Sequence, residues 1–512
     1  FLMGFDASVI SGVIKFIEPE FALSKLELGW AVSSLTLTST LAMMVAGPLS
    51  TKFGRKPVLK IAASLYAISA LGSALAPDFV TLVIARMIGG FGVGASLIIA
   101  PMYIAEICPP GMRGRMVSFN QLNIVTGISV AFFTNYLILQ LSQSDSAWIQ
   151  TLGIDVHQWR WMLGLEGIPA ILYFGLLFGV PESPRWLIMK SRSTLALQIL
   201  KKVSSEAQAL KDLAAVKESI KTRTVKKRAK LSELFKPALR LVLFIGIVVA
   251  ILQQITGINS VFFYAPMIFE QTGIGTDAAF SQAILVGLTN LIFTILAIMF
   301  IDRFGRKALL IFGFSGIAIS MFLLSYGFSS ATYELTPQAV ETLPGHVDKA
   351  KTAGMMNITY HSDIEFKDAV EENFGSIESK KVEADLITAS INMNAWLILL
   401  SIIGFVASFA ISIGPVMWVL FSELFPNTIR GIAVSFTGFI NSSISFLVQL
   451  VFPWELATIG NAWTFFIYGL FAALGLIFVL IVLPETKNKS LEELEAILVP
   501  TDKQKLNSKS KT

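Results

Sequence analysis

The sequence predicts an all-α polytopic membrane protein, with twelve membrane-spanning helices arranged as two pseudo-symmetric six-helix halves. Three observations predict it. Hydrophobic residues make up 54% of the 512 residues and charged residues 15%, at a mean hydropathy of +0.68, where a soluble chain carries about 25% charge. Apolar runs of about 20 residues, the length that crosses a bilayer, alternate with short polar loops. Motifs of the first half also return in the second. Gly54-Arg55-Lys56 recurs as Gly305-Arg306-Lys307, 251 residues on, and Glu106-x-x-Pro109…Arg113-Gly114 as Glu423-x-x-Pro426…Arg430-Gly431, 317 residues on. The offsets differ by 66, close to the length of a polar segment at 329–391. A duplicated six-span unit with one expanded loop accounts for both.

Taken in order, the spans are predicted near 1–17, 27–50, 57–76, 80–106, 115–141 and 158–180, then 239–272, 278–301, 307–328, 392–420, 430–458 and 461–483. Phe1 already lies in an apolar run, so a short piece of helix one is expected to be missing before it. The second-to-third loop carries Lys52, Arg55 and Lys56, the fourth-to-fifth Arg113 and Arg115, and the eighth-to-ninth Arg303, Arg306 and Lys307. Basic loops stay on the cytoplasmic side, which puts both termini there; the expected location is the plasma (inner) membrane, as a multi-pass protein. The expected domains are 1–180, a cytoplasmic linker at 181–238, 239–483 with the extracytoplasmic insertion, and a tail at 484–512.

Composition also excludes classes. The net charge of +5 is confined to loops and does not point to nucleic acid. One cysteine, Cys108, rules out internal disulfides, and three histidines do not suggest a dedicated metal site. No cleavable signal peptide, nucleophile–base set or cofactor motif is present, so an enzyme is not expected.

Two connections are long. Between 190 and 230 stand twelve Lys/Arg against three acidic residues, with Leu195, Leu197, Ile199, Leu200 and Val203 at partly helical spacing. Short amphipathic helices are predicted, their basic face either against anionic lipid or simply solvated. The 329–391 segment carries eleven acidic residues and five lysines; a small ordered cap and a mobile loop both fit it.

One stretch of span seven stands out: Gln253-Gln254-Ile255-Thr256-Gly257-Ile258-Asn259. Amides in hydrocarbon need partners, and Gly257 can loosen the helix. Interhelical glue and a hydroxyl-binding ligand site at a discontinuous helix are both open readings from this stretch alone.

Together with Arg86-x-x-Gly89-Gly90, Pro181-Glu182-Ser183-Pro184-Arg185, Pro484-Glu485-Thr486 and the closing Leu491-Glu492-Glu493-Leu494, these motifs resemble the sugar porter branch of the major facilitator superfamily. The resemblance runs from span one to Leu494 and omits only the 329–391 insertion. It is nearer to bacterial proton–xylose symporters than to animal glucose facilitators. It implies a monosaccharide site built from Gln121, Gln253, Gln254, Asn259, Asn290, Gly414, Trp418 and Asn441. The chemistry suits the implication, since amides bind hydroxyls bidentately and an indole packs on the C–H face of a pyranose. Three positions depart from the pattern: Ser442 for a second Trp, Phe263 for Tyr and Ile128 for Gln. A roomier pocket with fewer hydrogen bonds is expected.

Asp6 and Arg86 lie inside predicted spans, where a lone charge costs about 2.5–3.5 kcal/mol. Each therefore calls for the other. The resemblance adds Glu166 and implies proton coupling; a permanent structural bridge is the alternative. It also implies a cytoplasmic gate formed by Arg55, Glu106, Arg113, Glu182, Arg185, Arg306, Glu423, Arg430 and Glu485. Thr51 replaces the acidic residue of the first-half gate motif, which Asp302 keeps in the second. The expectation is a proton-coupled symporter for a hexose or pentose, working by alternating access. A passive facilitator is the alternative, and a non-transporting sugar sensor a third reading. The implied partners are a small-molecule sugar, protons and the lipid bilayer, with a monomer expected and no cofactor beyond the proton gradient.

Overall fold

Each predicted span is helical in the computed structural model, which describes residues 1–108, 112–225, 231–426, 429–487 and 493. The first six spans are α1 (Leu2–Glu20), α2 (Lys25–Phe53), α3 (Arg55–Ala74), α4 (Phe79–Ile107), α5 (Arg113–Ser142), and, after a short α6 (Ala147–Leu152), the pair α7 (Gln158–Gly164) and α8 (Gly167–Gly179). The linker forms α9 (Pro184–Met189), α10 (Ser193–Val203) and α11 (Glu206–Val225). Span seven is α12 (Arg240–Ile255) plus α13 (Ile258–Glu270), followed by α14 (Thr276–Phe304) and α15 (Arg306–Ser329). Among the described residues eleven helical stretches are long and apolar enough to cross a membrane; α1, with 19 residues, supplies the twelfth span.

The 329–391 segment is an ordered cap. It holds β1 (Thr332–Glu334), α16 (Pro337–Thr342), β2 (Thr359–Tyr360), α17 (Asp363–Phe374), α18 (Ser379–Ser390) and β3 (Ile391–Asn392). The strands form one antiparallel sheet in the order β2-β1-β3. A separate core of Tyr333, Met355, Phe366, Val370 and Leu386 explains the order: these apolar residues lie scattered among acidic ones, which hid them from hydropathy. The last spans are α19 (Ala395–Ile411) with α20 (Ile413–Leu424), α21 (Arg430–Thr458) and α22 (Gly460–Ile481).

Three spans are broken, each beside a predicted functional residue. Span six breaks at Leu165-Glu166, three residues before Pro169, whose missing N–H cannot complete the helical ladder. Span ten breaks at Ser412, before Pro415. Span seven breaks at Gly257, in the left-handed region at φ 87° and ψ 16°, as the sequence predicted. The repeated Gly-Arg-Lys motifs make matching tight turns at Gly54 (φ 110°) and Gly305 (φ 94°).

In the linker, Ala196 of α10 packs with Leu187 and Ile188 of α9, with Ile199 against them; of the predicted apolar face Leu200 is buried, while Leu195 and Val203 are exposed. By compactness the chain forms two units. The first comprises Phe1–Ile10, Ser33–Ala131 and Asp145–Arg228; the second, Ser11–Val32, Phe132–Ser144 and Ala229–Thr512.

Candidate functional site

Within the second unit, four of the predicted amides form one closed network. Gln253 and Gln254 end α12, Asn259 lies in the first turn of α13, and Asn441 projects from α21. Gln254 Nε2 donates to Gln253 Oε1 and to Asn441 Oδ1, both at 3.1 Å. Asn441 Nδ2 donates to Gln253 Oε1 at 2.7 Å and to the Ala250 carbonyl at 2.9 Å. Asn259 Nδ2 donates to Gln254 Oε1 at 2.8 Å and to Ser445 Oγ at 2.7 Å. Gln253 Nε2 reaches the Ile413 and Gly414 carbonyls in the first turn of α20, each at 3.4 Å. Each amide nitrogen thus makes at least two hydrogen bonds, which offsets the cost of bringing it into a buried setting. As they stand the amides join α12, α13, α20 and α21. Their mixed donors and acceptors can equally serve hydroxyl groups.

The other predicted binding residues are placed as follows. Asn290 is buried on α14, and Gly414 lies in the first turn of α20. Trp418 is 47% exposed, its ring edge-on to Phe421 at 6.0 Å; an indole half open on α20 differs from a core aromatic. Gln121 belongs to the first unit and is exposed on α5. Of the departures, Phe263 is buried on α13, while Ser442 and Ile128 are half-buried.

Within the first unit, Asp6 and Arg86 are each 1% exposed, with Arg86 Nη1 at 3.8 Å from Asp6 Oδ1. Glu166, at the break between α7 and α8, is buried against Asp6. An ideal Cβ on Gly89 would lie 2.9 Å from Asp6 Oδ2, so Arg86-x-x-Gly89 delivers the guanidinium while leaving room for the carboxylate. Two carboxylates and one guanidinium sum to −1 when all are charged. One proton brings the cluster to neutrality, which a low-dielectric surrounding favours.

Six of the residues predicted for a gate form two matching clusters, one in each unit. In the first, Arg55 holds Glu106 bidentately at 2.8 and 2.9 Å, and the Glu182 carboxylate accepts from the Arg55 and Lys56 backbone N–H groups at 3.0 and 3.2 Å. In the second, Arg306 meets Glu423 at 2.8 Å, and Glu485 accepts from the Arg306 and Lys307 N–H groups at 3.2 and 3.1 Å. Both carboxylates cap the N-terminus of a helix, where unpaired N–H groups and the helix dipole favour an anion. Cβ atoms at Gly54 and Gly305 would meet them at 2.4 and 2.8 Å. Arg430 donates to the Phe425 carbonyl at 3.1 Å, and Arg185 is half-buried in α9. Thr51 bonds within its own helix, to the Gly47 carbonyl. The side chains of Arg113 and Asp302 lie outside the described residues, as does the closing Leu-Glu-Glu-Leu motif apart from Glu493.

Sequence reasoning missed several partners. Ser445 and Gln449 continue the polar face of Asn441 at four-residue spacing, and Gln449 Nε2 donates to Ser445 Oγ at 2.8 Å. That i, i+4, i+8 stripe was visible in span eleven. Ser183 and Thr486, inside the quoted motifs, donate hydroxyls to Glu106 and Glu423, both at 2.6 Å.

Comparison with known proteins adds four findings. The family described as "Sugar (and other) transporter" matches residues 1–341 and 381–498. An arabinose-proton symporter of Bacillus subtilis is 35% identical over 97% of this chain and 92% of its own length. A D-xylose-proton symporter of Escherichia coli is 35% identical over 98% and 94%. Among solved structures, the inward open conformation of the xylose transporter XylE from E. coli aligns with a TM-score of 0.72 at 33% identity, covering 97% of this chain and 96% of that one.

Proposed function

The chain belongs to the sugar (and other) transporter family, and from that premise we propose that it is a proton-coupled monosaccharide symporter working by alternating access. The observation that carries the proton coupling is the buried group of Asp6, Arg86 and Glu166. A carboxylate 3.8 Å from a guanidinium is stabilised as an anion while the pair is closed and takes a proton when the pair opens. Asp6 is the proton carrier in this reading, Arg86 its counter-ion, and Glu166 the second acid.

The sugar is assigned to Gln253, Gln254, Asn259, Asn290, Gly414 and Asn441, with Trp418 as the aromatic platform and Gln121 contributed from the first half. Amide-to-amide hydrogen bonds exchange for amide-to-hydroxyl bonds at little net cost, so the site opens to ligand without losing its internal satisfaction. Pentoses such as arabinose or xylose match the sugars for which the two relatives are named, and the small Ser442 leaves room for a hexose as well.

The two halves of this scheme are 1–180 and 239–483, joined by the linker at 181–238. The Arg55–Glu106–Glu182 and Arg306–Glu423–Glu485 groups, with Arg113, Arg185 and Arg430, form the cytoplasmic gate. The chain is an integral membrane protein and not an enzyme. A monomer in the plasma membrane, with both termini cytoplasmic and the proton gradient as sole energy source, completes the proposal.

Reconstitution into proteoliposomes tests it. An inward sugar gradient should carry protons in, and an imposed proton gradient should drive uphill uptake. Asp6→Asn should abolish accumulation while leaving sugar exchange. Equilibration without proton movement, unchanged by Asp6→Asn, would instead identify a passive facilitator.

A further inference from the structure

Near the end of α21 lies a half-buried carboxylate that neither the sugar nor the proton role uses. Glu455, near the C-terminal end of α21, accepts a hydrogen bond from the Tyr468 hydroxyl of α22 at 2.8 Å. The Tyr468 ring is 3% exposed, stacked on Phe452 at 6.3 Å and edge-on to Phe465 at 6.5 Å. Its flat side fills the space in front of Gly257: an ideal Cβ there would lie 2.3 Å from Tyr468 Cδ2 and 2.5 Å from Cε2. The same hydroxyl is 3.5 Å from Ser260 Oγ, in the first turn of α13. Tyr468 therefore touches the span-seven break twice, with its ring at Gly257 and its hydroxyl at the helix that follows.

We infer that Tyr468, held by Glu455, is a positioning residue that sets where α13 begins and thereby how Asn259 is presented to the sugar. Asn259 is two residues beyond Gly257 and donates to both Gln254 and Ser445. A shift at the start of α13 therefore moves one amide relative to the others. Farther along, α13 is fixed independently, by the Tyr264 hydroxyl on the Gln449 carbonyl at 2.8 Å. Loss of the Tyr468 tether thus frees the first turn without releasing the whole helix. Neither Tyr468 nor Glu455 contacts sugar in this scheme.

The inference rests on the sugar site proposed above, and its test separates the two. The full-length chain and the variants Tyr468→Phe, Glu455→Ala and Glu455→Gln are compared in proteoliposomes and by hydrogen exchange in detergent, with xylose, arabinose and glucose as probes. Tyr468→Phe keeps the ring and removes only the hydroxyl. Glu455→Gln keeps an acceptor for that hydroxyl. Tyr468→Phe and Glu455→Ala should raise KM and Kd at least threefold with Vmax within twofold, and should speed amide exchange at 257–262 whether or not sugar is present. Glu455→Gln should restore all three readings. Parent-like Kd and exchange in Tyr468→Phe and Glu455→Ala would overturn the inference. Failure of the unsubstituted chain to bind any of the sugars overturns the transport reading instead, and the sugar-free exchange rates then decide the tether alone.

Discussion

Replacing Gly257 by Ala perturbs the molecule at the point where fold and site meet. Two costs follow from the structure. At φ 87° an L-residue pays about 1–2 kcal/mol for the left-handed region. The new methyl would also lie 2.3 Å from Tyr468 Cδ2, and the ring cannot swing aside because it is packed against Phe452 and Phe465. Overpacking of that kind costs about 1–3 kcal/mol. The sum, about 2–5 kcal/mol, is a large fraction of a typical folding free energy. If 1 kcal/mol of it falls on the orientation of α13, sugar binds about fivefold more weakly. Thermal unfolding in detergent and sugar titration read the two parts. Repeating the substitution in a Tyr468→Ala background removes the overlap and leaves the backbone cost, so the penalty there should fall by roughly half. An equal penalty in both backgrounds, or none in either, refutes the reasoning.

Two further outcomes are expected. Gln254→Leu removes the acceptor of Asn259 and the donor of Asn441, leaving polar groups short of partners at about 1–3 kcal/mol each; a drop in sugar affinity of tenfold or more should appear in equilibrium binding. Burial alone would raise the Glu383 carboxyl of α18, but Lys25, Lys367 and a hydrogen bond from Gln271 outweigh it and hold it below its ordinary value. Such a group stabilises the folded state above the usual glutamate range and loses that contribution as pH falls through its lowered value. Hydrogen exchange in α18 should therefore accelerate on acidification below the ordinary glutamate range, and Glu383→Gln should flatten that dependence.

Much of this molecule was legible before any coordinates. The twelve spans fall within a few residues of their predicted limits because hydrocarbon thickness dictates helix length and because Gly54, Gly305 and the basic loops punctuate the chain. The pairing of Asp6 with Arg86 followed from the cost of an isolated charge in a membrane. The hinge at Gly257 followed from a glycine among amides. The breaks at Leu165-Glu166 and Ser412 were not read, since a proline three residues downstream signals a weakened ladder without saying where the chain bends.

The remaining features depend on which separate elements meet, not on any local pattern. Whether Gln253, Gln254, Asn259 and Asn441 act alone or together is settled by α12, α13 and α21 packing side by side, which no local pattern encodes. The order of the 329–391 cap comes from Tyr333, Phe366 and Leu386 meeting in a core, although the segment reads as polar. The Tyr468–Glu455 tether joins two residues that look unremarkable in their own helices. Hydropathy and motif spacing act along the chain and so fix spans, repeat and chemistry. Partner choice is a matter of which faces meet, and only the packed helices decide it.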